Sequence, residues 1–520
     1  MRTKKATINI LVSVITFIVG FLPIILVRKV FLDKLGPELL GLSSLFTNII
    51  GYLSIVEMGI GTAIIFSLYK PFAENDTAKI TAYLNYYKKL YKVIGIVVLL
   101  LGLFLLPFLN IFITDPINMG EARIYFVLFL INTVMGYYFS YKFCILNVAQ
   151  EGYKITIATT VSKLIIAVLQ VVFLFIVPDF YIYLIIQISV NLIYFILLNL
   201  YIDSKNRWLT NASEDALSRD EKRSLSKNIK ALMYHKIGGV VIFSTDNLVI
   251  SSFINLATVA KYNNYSLIIS AMQGIISTAM SAITASIGNL LVEKSKDEAY
   301  VVHKRLFFIN FWVVSLIAIV LFNTLTPFVT LWLGENQTID QFTLSIILLN
   351  LYIQLMRGSV EKFNEGGGNY YQDRFAPVFE CIIKLSASIA LVKLLGLSGV
   401  FLGTLISNLS VVFWVKPKIT YKYIFKTKLV KYFGMYFKYL AIGIVPFIIC
   451  YFVSSRLVIG NGSFAFVITC ILNLMIINIF YLIIFWRNKE FIYLKNLLIK
   501  AWTSRRANRR SFQKGSEFLQ

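Results

Sequence analysis

Runs of about twenty apolar residues, separated by short polar connections, recur from one end of the chain to the other. We place them at 8–28, 40–65, 93–113, 123–146, 155–177, 181–202, 236–255, 264–291, 306–333, 340–360, 375–395, 397–415, 434–454 and 464–486. A helix rises 1.5 Å per residue, so about 20 residues cross a hydrocarbon core of about 30 Å. The pattern therefore predicts an all-α polytopic membrane protein with about 14 transmembrane helices.

The runs also echo one another. Leu106-Pro107-Phe108 returns 220 positions later as Thr326-Pro327-Phe328, and the same offset lays Gly41-Leu42 to Gly61 over Lys261-Tyr262 to Ser281, and Phe143 over Phe363. A one-residue slip brings Lys163-Leu164 onto Lys384-Leu385. Apolar segments resemble one another by chance, but four successive pairs sharing nearly one offset read as a duplicated element. We expect two six-helix lobes related by pseudo-twofold symmetry, at 1–202 and 236–416, joined by a cytoplasmic linker at 203–235. A basic loop at 417–433 then leads to two further transmembrane helices within 434–486 and a basic tail at 487–514. In membrane carriers such paired halves commonly enclose the transport path and work by alternating access.

Composition agrees with a bilayer setting: 58% of residues are hydrophobic and only 15% charged. Lys and Arg number 50 against 26 Asp and Glu, and most of the basic residues fall in alternate connections and the two ends. The positive-inside rule then puts both termini in the cytoplasm. The net charge of +24 reads as topology and contact with anionic lipid. The basic stretch Arg505 to Arg510 has no domain that would present bases, so no nucleic-acid partner is expected. Arg2, Lys4 and Lys5 lead straight into the first run without a small-residue cleavage site, so that helix is expected to stay in the mature chain. Gly515 to Gln520 reads as a cloning remnant.

Charges inside the runs narrow the chemistry. Lys163 and Lys384 each lie about eight residues into a helix, roughly 12 Å deep, and are repeat partners. A buried ammonium normally faces a bundle interior or a watery cavity, so the pair suggests a cationic cavity, with Arg28 a further member and Lys142 and Arg357 at its cytoplasmic entrance. The plainer reading pairs each lysine with a carboxylate: Glu380 stands one turn before Lys384. Lys142 can instead snorkel to the cytoplasmic surface, and Arg357 can neutralise Glu361 four residues on. Asp246, Glu57 and Glu361 are the acids that would bind Na⁺ or a proton if transport is coupled to a gradient. Asp246 lies nearest the midplane, and a structural pairing with Arg28 is the competing reading.

Soluble-enzyme chemistry is thin. The histidines are His235 and His303, both at helix starts, which leaves no metal cluster. Cys144, Cys381, Cys450 and Cys470 lie in runs and give no disulfide pattern. Gly366-Gly367-Gly368 lacks the Gly-Lys-Ser/Thr of a phosphate loop and reads as a turn. No cofactor, metal site or enzymatic activity is expected.

Gly41-Leu42, Asn48, Glu57-Met58-Gly59-Ile60-Gly61 and Leu68-Tyr69-Lys70-Pro71 resemble the first-repeat signature of Wzx-type polysaccharide flippases, in the multidrug/oligosaccharidyl-lipid/polysaccharide exporter superfamily. Asp246-Asn247, Phe253, Tyr262 to Tyr265, Pro327-Phe328 and Leu331-Trp332-Leu333-Gly334 extend the likeness over roughly 8–420. The motifs are diffuse, and their order carries the resemblance. It implies a carrier in the bacterial cytoplasmic membrane that moves an undecaprenyl-diphosphate-linked oligosaccharide to the outer leaflet for capsule, O-antigen or exopolysaccharide synthesis. Its partners would be that lipid-linked oligosaccharide, membrane lipids, and polysaccharide polymerase and glycosyltransferases. Tyr137, Tyr138 and Tyr141 are positioned to stack on sugars, or simply to form an interfacial belt. Alternatives are a teichoic-acid or peptidoglycan lipid precursor as cargo, a drug/cation antiporter, and an inactive scaffold of a polymer-synthesis complex.

Overall fold

The computed structural model describes residues 2–57, 59–209, 217–223, 225–226, 229, 245–369, 372, 374–457, 462–497 and 499. Among these residues every regular element is a helix. The longer ones are α1 (Arg2–Leu53), α2 (Ile60–Ala73), α3 (Thr77–Leu105), α4 (Met119–Ser140), α5 (Gly152–Ile176), α6 (Phe180–Lys205), α7 (Leu256–Ala282), α8 (Lys296–Leu333), α9 (Gln341–Met356), α10 (Ala376–Leu395), α11 (Leu397–Ser407), α12 (Val430–Leu457) and α13 (Ser463–Phe485). Several starts carry side-chain caps that satisfy otherwise unpaired N–H groups. Asp76 accepts from the Lys79 N–H, Asp340 from Thr343, and Ser295 with Glu298 forms a reciprocal capping box.

Eleven helical segments among the described residues are long and apolar enough to cross a membrane; the chain is a multi-pass membrane protein. The difference from fourteen has identifiable causes. The runs 8–28 and 40–65 begin in a single helix, α1, which leaves helical geometry at Gly36 (φ 85°, ψ 169°) just before Pro37. The run 40–65 is itself interrupted, by a 3₁₀ turn at Ser54–Glu57 and by Gly59 at φ 98°. The run 375–395 is α10, whose Glu380, Lys384 and Lys393 lower its apolar character. The run 236–255 begins in residues outside the described set, as do His235 and the tail from 500 onward.

Contact density divides the described chain into two compact units, one from Met1–Asn264 with Cys381–Gly403, the other from Tyr265–Glu380 with Thr404–Gln520. This division follows packing and is not a measure of internal symmetry. In the first unit α1 comes so close to the start of α7 that a Cβ on Gly41 would lie 1.9 Å from the Leu256 carbonyl oxygen. Only glycine permits that approach. Asp115 accepts the Leu256 N–H at 2.8 Å, and the Thr114 hydroxyl donates to the Ser251 carbonyl at 3.1 Å.

The second unit has a core rich in aromatic residues. Phe307, Phe308 and Phe311 of α8 pack with Tyr352, Phe363, Tyr432, Tyr439, Tyr481 and Phe485. Through it runs a polar ladder: Asn323 donates to Asn473 at 3.0 Å, Asn473 to Ser454 at 2.9 Å, Tyr481 to Ser315 at 2.8 Å, and Trp312 to Asn478 at 3.0 Å. In lipid, where dispersion alone drives apolar packing, such bonds fix which helices associate. They tie α12 and α13 to α8.

Candidate functional site

Within the first unit, α1, α5, α6 and the last turn of the unit's share of α7 surround a cavity of about 590 Å³. Its walls take shape from helical spacing. Lys163, Ala167 and Gln170 follow one another at four and three residues on α5, and Gln187 and Asn191 are four apart on α6, so each set occupies one face. The portion of α1 past the Gly36 break contributes Ser43, Ser44, Thr47 and Asn48; the portion before it contributes Pro23 and Arg28.

Among the described residues, the charged side chains lining this cavity are Arg28 and Lys163, and no acid lines it. The Arg28 Nε donates to Asn264 Oδ1 at 2.5 Å, which fixes the guanidinium, while its buried Nη2 has no hydrogen-bond partner among the described residues. An unsatisfied buried donor costs about 1–3 kcal/mol, a cost that an anion in the cavity would relieve. No ion pair or hydrogen bond with a described residue engages the Lys163 ammonium. The amides are held from behind: Gln170 donates to the Tyr183 carbonyl at 3.1 Å, Asn191 to Asn132 at 3.0 Å, and Asn263 pairs with Asn247. The cavity thus sets two cations, amides and hydroxyls among apolar side chains such as Phe31 and Leu40, an arrangement suited chemically to an anion carrying hydroxyl groups.

The remaining candidates have other surroundings. Lys384, although the repeat partner of Lys163, is 4% exposed and forms an ion pair with Asp246 at 2.9 Å. It does not line the cavity. Asp246 therefore meets Lys384 and not Arg28, and its carboxylate is already matched to a cation. Lys142 is bridged to Asp203 by both carboxylate oxygens, at 2.6 and 2.7 Å. In the second unit Arg357 Nε donates to Glu361 at 2.6 Å, with Nη1 buried and without a partner among the described residues. Glu57 accepts the Tyr91 hydroxyl. Tyr137 is buried against Tyr91, with ring centroids 5.7 Å apart, whereas Tyr138 is exposed. His303 is enclosed by Phe307, Phe363, Tyr421 and Phe425 in the second unit.

Sequence reasoning found the two cations and passed over Gln170, Gln187, Asn191 and Asn263. Their shared helical faces were the available signal.

The sequence profile described as "Polysaccharide biosynthesis protein" matches residues 3–284. The chain belongs to that family, within the multidrug/oligosaccharidyl-lipid/polysaccharide exporter superfamily. Among solved structures it is similar to "Lipid II flippase MurJ, inward closed conformation", at a TM-score of 0.70 and 13% identity, over 92% of this chain and 99% of that one. It is similar also to an inward-facing multidrug resistance MATE family transporter, with a TM-score of 0.60 and 15% identity over 75% of this chain and 91% of the other. A Vibrio cholerae MATE transporter, a VcmN mutant, gives 0.56 and 16% over 82% and 99%. At these identities the likeness is one of fold. No curated protein matches in sequence.

Proposed function

We propose that the protein is a flippase that carries an undecaprenyl-diphosphate-linked oligosaccharide from the inner to the outer leaflet of the bacterial cytoplasmic membrane by alternating access, for surface polysaccharide synthesis. One observation carries the reading: Arg28, whose buried Nη2 has no partner among the described residues, and Lys163 stand together in a cavity that no described acid lines. Family membership supports it. A diphosphate bearing a glycan cannot cross hydrocarbon unaided, because its charges and hydroxyls lose their water without replacement. The two cations replace water around the diphosphate, and the serine, threonine and amide groups replace it around the first sugars. A volume of about 590 Å³ lies within the roughly 300–1,000 Å³ usual for ligand sites. The polyprenyl tail stays in the bilayer. Both termini are cytoplasmic in this reading, and polymerase and glycosyltransferases act on either side of the step. A drug/cation antiporter would need carboxylates in this cavity, and none lines it among the described residues.

A second cargo, a peptidoglycan lipid precursor, is favoured by the likeness to the lipid II flippase structure, and its diphosphate would suit the same cations. Mass spectrometry of lipid that copurifies with the detergent-extracted protein separates the two. A polyprenyl diphosphate glycan without a peptide is the expected result, a pentapeptide-bearing one selects the second reading, and copurification of phospholipid alone counts against both. Arg28→Gln with Lys163→Gln is expected to abolish surface polymer at normal expression; wild-type polymer in the double variant would remove the cavity from the mechanism.

A further inference from the structure

In the second unit the start of α8 and the approach to α12 bring four lysines together. Lys296, Tyr300 and Lys304 follow one another at four-residue spacing, which sets all three on one face of α8. The connection leading into α12 places the Lys426 side chain against the Lys296 ammonium, and Lys431, in the first turn of α12, reaches the Tyr300 ring. The Lys304 and Lys431 ammonium groups lie 5.3 and 5.9 Å from the centroid of that ring. Tyr300 is a fixed platform for them, because Tyr421 and Phe425 pack edge-on against it at 5.9 and 5.5 Å. Among the described residues none of the four lysines forms an ion pair. Glu298 is taken by Ser295 and by Lys294 at 3.6 Å, and Asp297, next to Lys296 in the chain, does not share its face. Lys426 stands in the left-handed region at φ 50°, where glycine or asparagine is the usual choice. The turn is pinned there: the Phe425 and Thr427 N–H groups donate to the Thr420 and Tyr421 carbonyls at 3.1 and 2.9 Å. What a lysine adds over glycine at that position is its charge.

We propose that Lys296, Lys304, Lys426 and Lys431, gathered around Tyr300, bind the headgroup of an anionic phospholipid that bridges the starts of α8 and α12. The site does not depend on the cargo and stands apart from the flippase reading. A phosphodiester placed among the ammonium groups turns their mutual repulsion into attraction, and hydrogen bonds between ionised partners are the stronger class. Exposed apolar surface beside the charges favours a lipid over free phosphate. Val430 and Phe437 are 77% and 53% exposed and lie seven residues apart, on one face of α12, with Lys431 adjoining Val430. Acyl chains lie along that face while the phosphate sits at its end. The polar ladder that joins α8 to α12 and α13 begins at Trp312, about 12 Å along α8 from Lys304. The lipid fastens the charged helix starts, where the ladder does not reach.

The test uses the full chain in detergent, native mass spectrometry with added phosphatidylglycerol, phosphatidylcholine or inorganic phosphate, and thermal unfolding of the same samples. Phosphatidylglycerol is expected to bind and to raise the thermal midpoint, and the other two are not. Lys304→Gln with Lys431→Gln is expected to weaken phosphatidylglycerol binding about twenty-five-fold, at about fivefold for each lysine near an anionic headgroup. Lys422→Gln with Lys495→Gln removes the same charge from exposed positions outside the cluster and should leave binding intact. Equal weakening in both pairs would reduce the site to unspecific charge attraction and overturn it. Equal stabilisation by phosphatidylcholine, or by inorganic phosphate alone, overturns the headgroup assignment. Should the first double variant fail to fold, Lys426→Gly removes a cation while easing the backbone at φ 50°. It must bind phosphatidylglycerol more weakly, and unchanged binding overturns the site. Wild-type lipid binding with lost surface polymer in the Lys304→Gln, Lys431→Gln variant would assign the cluster to an acidic protein partner instead. Arg28→Gln with Lys163→Gln should bind phosphatidylglycerol as the wild type does whatever becomes of the polymer, so failure of the cavity and failure of this site remain distinct.

Discussion

Lys163 and Lys384 show how residues matched in a repeat diverge in use. Lys163 opens on the cavity, whereas Lys384 is spent on Asp246, 138 positions away in the chain. Breaking a buried pair by removing one partner leaves an uncompensated charge and costs about 3–5 kcal/mol. Lys384→Gln and Asp246→Asn are each expected to lower the thermal midpoint of the detergent-solubilised protein, and the double variant to lose less than the two singles summed. Strict additivity would show that the pair carries no coupling. Gly41→Ala is expected to be destabilising by about 1–3 kcal/mol, the usual cost of overpacking, because its Cβ collides with the Leu256 backbone; fluorescence-detected size exclusion after heating reads this directly. Charge inside an apolar run was visible in the sequence, so Arg28 and Lys163 were legible there. The neutral amides were not, since Gln170 or Asn191 leaves little trace in a hydropathy pattern. The partner of Lys384 was illegible too, because tertiary packing decides which carboxylate reaches it.

At the scale of elements, apolar length foretold where helices run and missed where they break. Pro107 lies in a 3₁₀ turn at the end of α3, while its repeat counterpart Pro327 lies within the continuous α8; nothing in the structure explains the difference. Gly36 and Gly59 both sit at positive φ, and a glycine in a run does not announce which backbone region it will take. The ladder through α8, α12 and α13 was equally hidden, because an isolated Asn in a run has no visible partner. Asn473 accepts from Asn323 and donates to Ser454 while fully buried. Interhelical bonds in lipid are worth about 0.6 kcal/mol on average, up to about 1.7, so Asn473→Ala is expected to cost roughly 1–3 kcal/mol once the orphaned partner is included. Thermal unfolding should reveal that loss with surface polymer preserved; lost polymer at full stability would give the ladder a role beyond scaffolding.

For the whole molecule, the all-helical, multi-pass architecture followed from composition and run length, and family membership now stands on residues 3–284. Orientation is a separate matter of charge. With 50 Lys and Arg concentrated in alternate connections and ends, the positive-inside rule predicts that a reporter fused to the C-terminus is active only if it matures in the cytoplasm. A periplasm-dependent reporter giving signal there would invert the topology. α1 adds something that neither charge nor packing supplies. Gly36 already stands outside helical dihedrals, and Pro37 has no N–H to surrender. Arg28 lies on one side of this point, and Asn48 and Glu57 lie on the other. The helical dihedrals are therefore interrupted between Arg28 and Asn48, which line the cavity from either side of the break. A side chain at position 36 would make the present dihedrals cost about 1–3 kcal/mol, so the break that sets the two halves of this helix around the cavity depends on a residue without a Cβ.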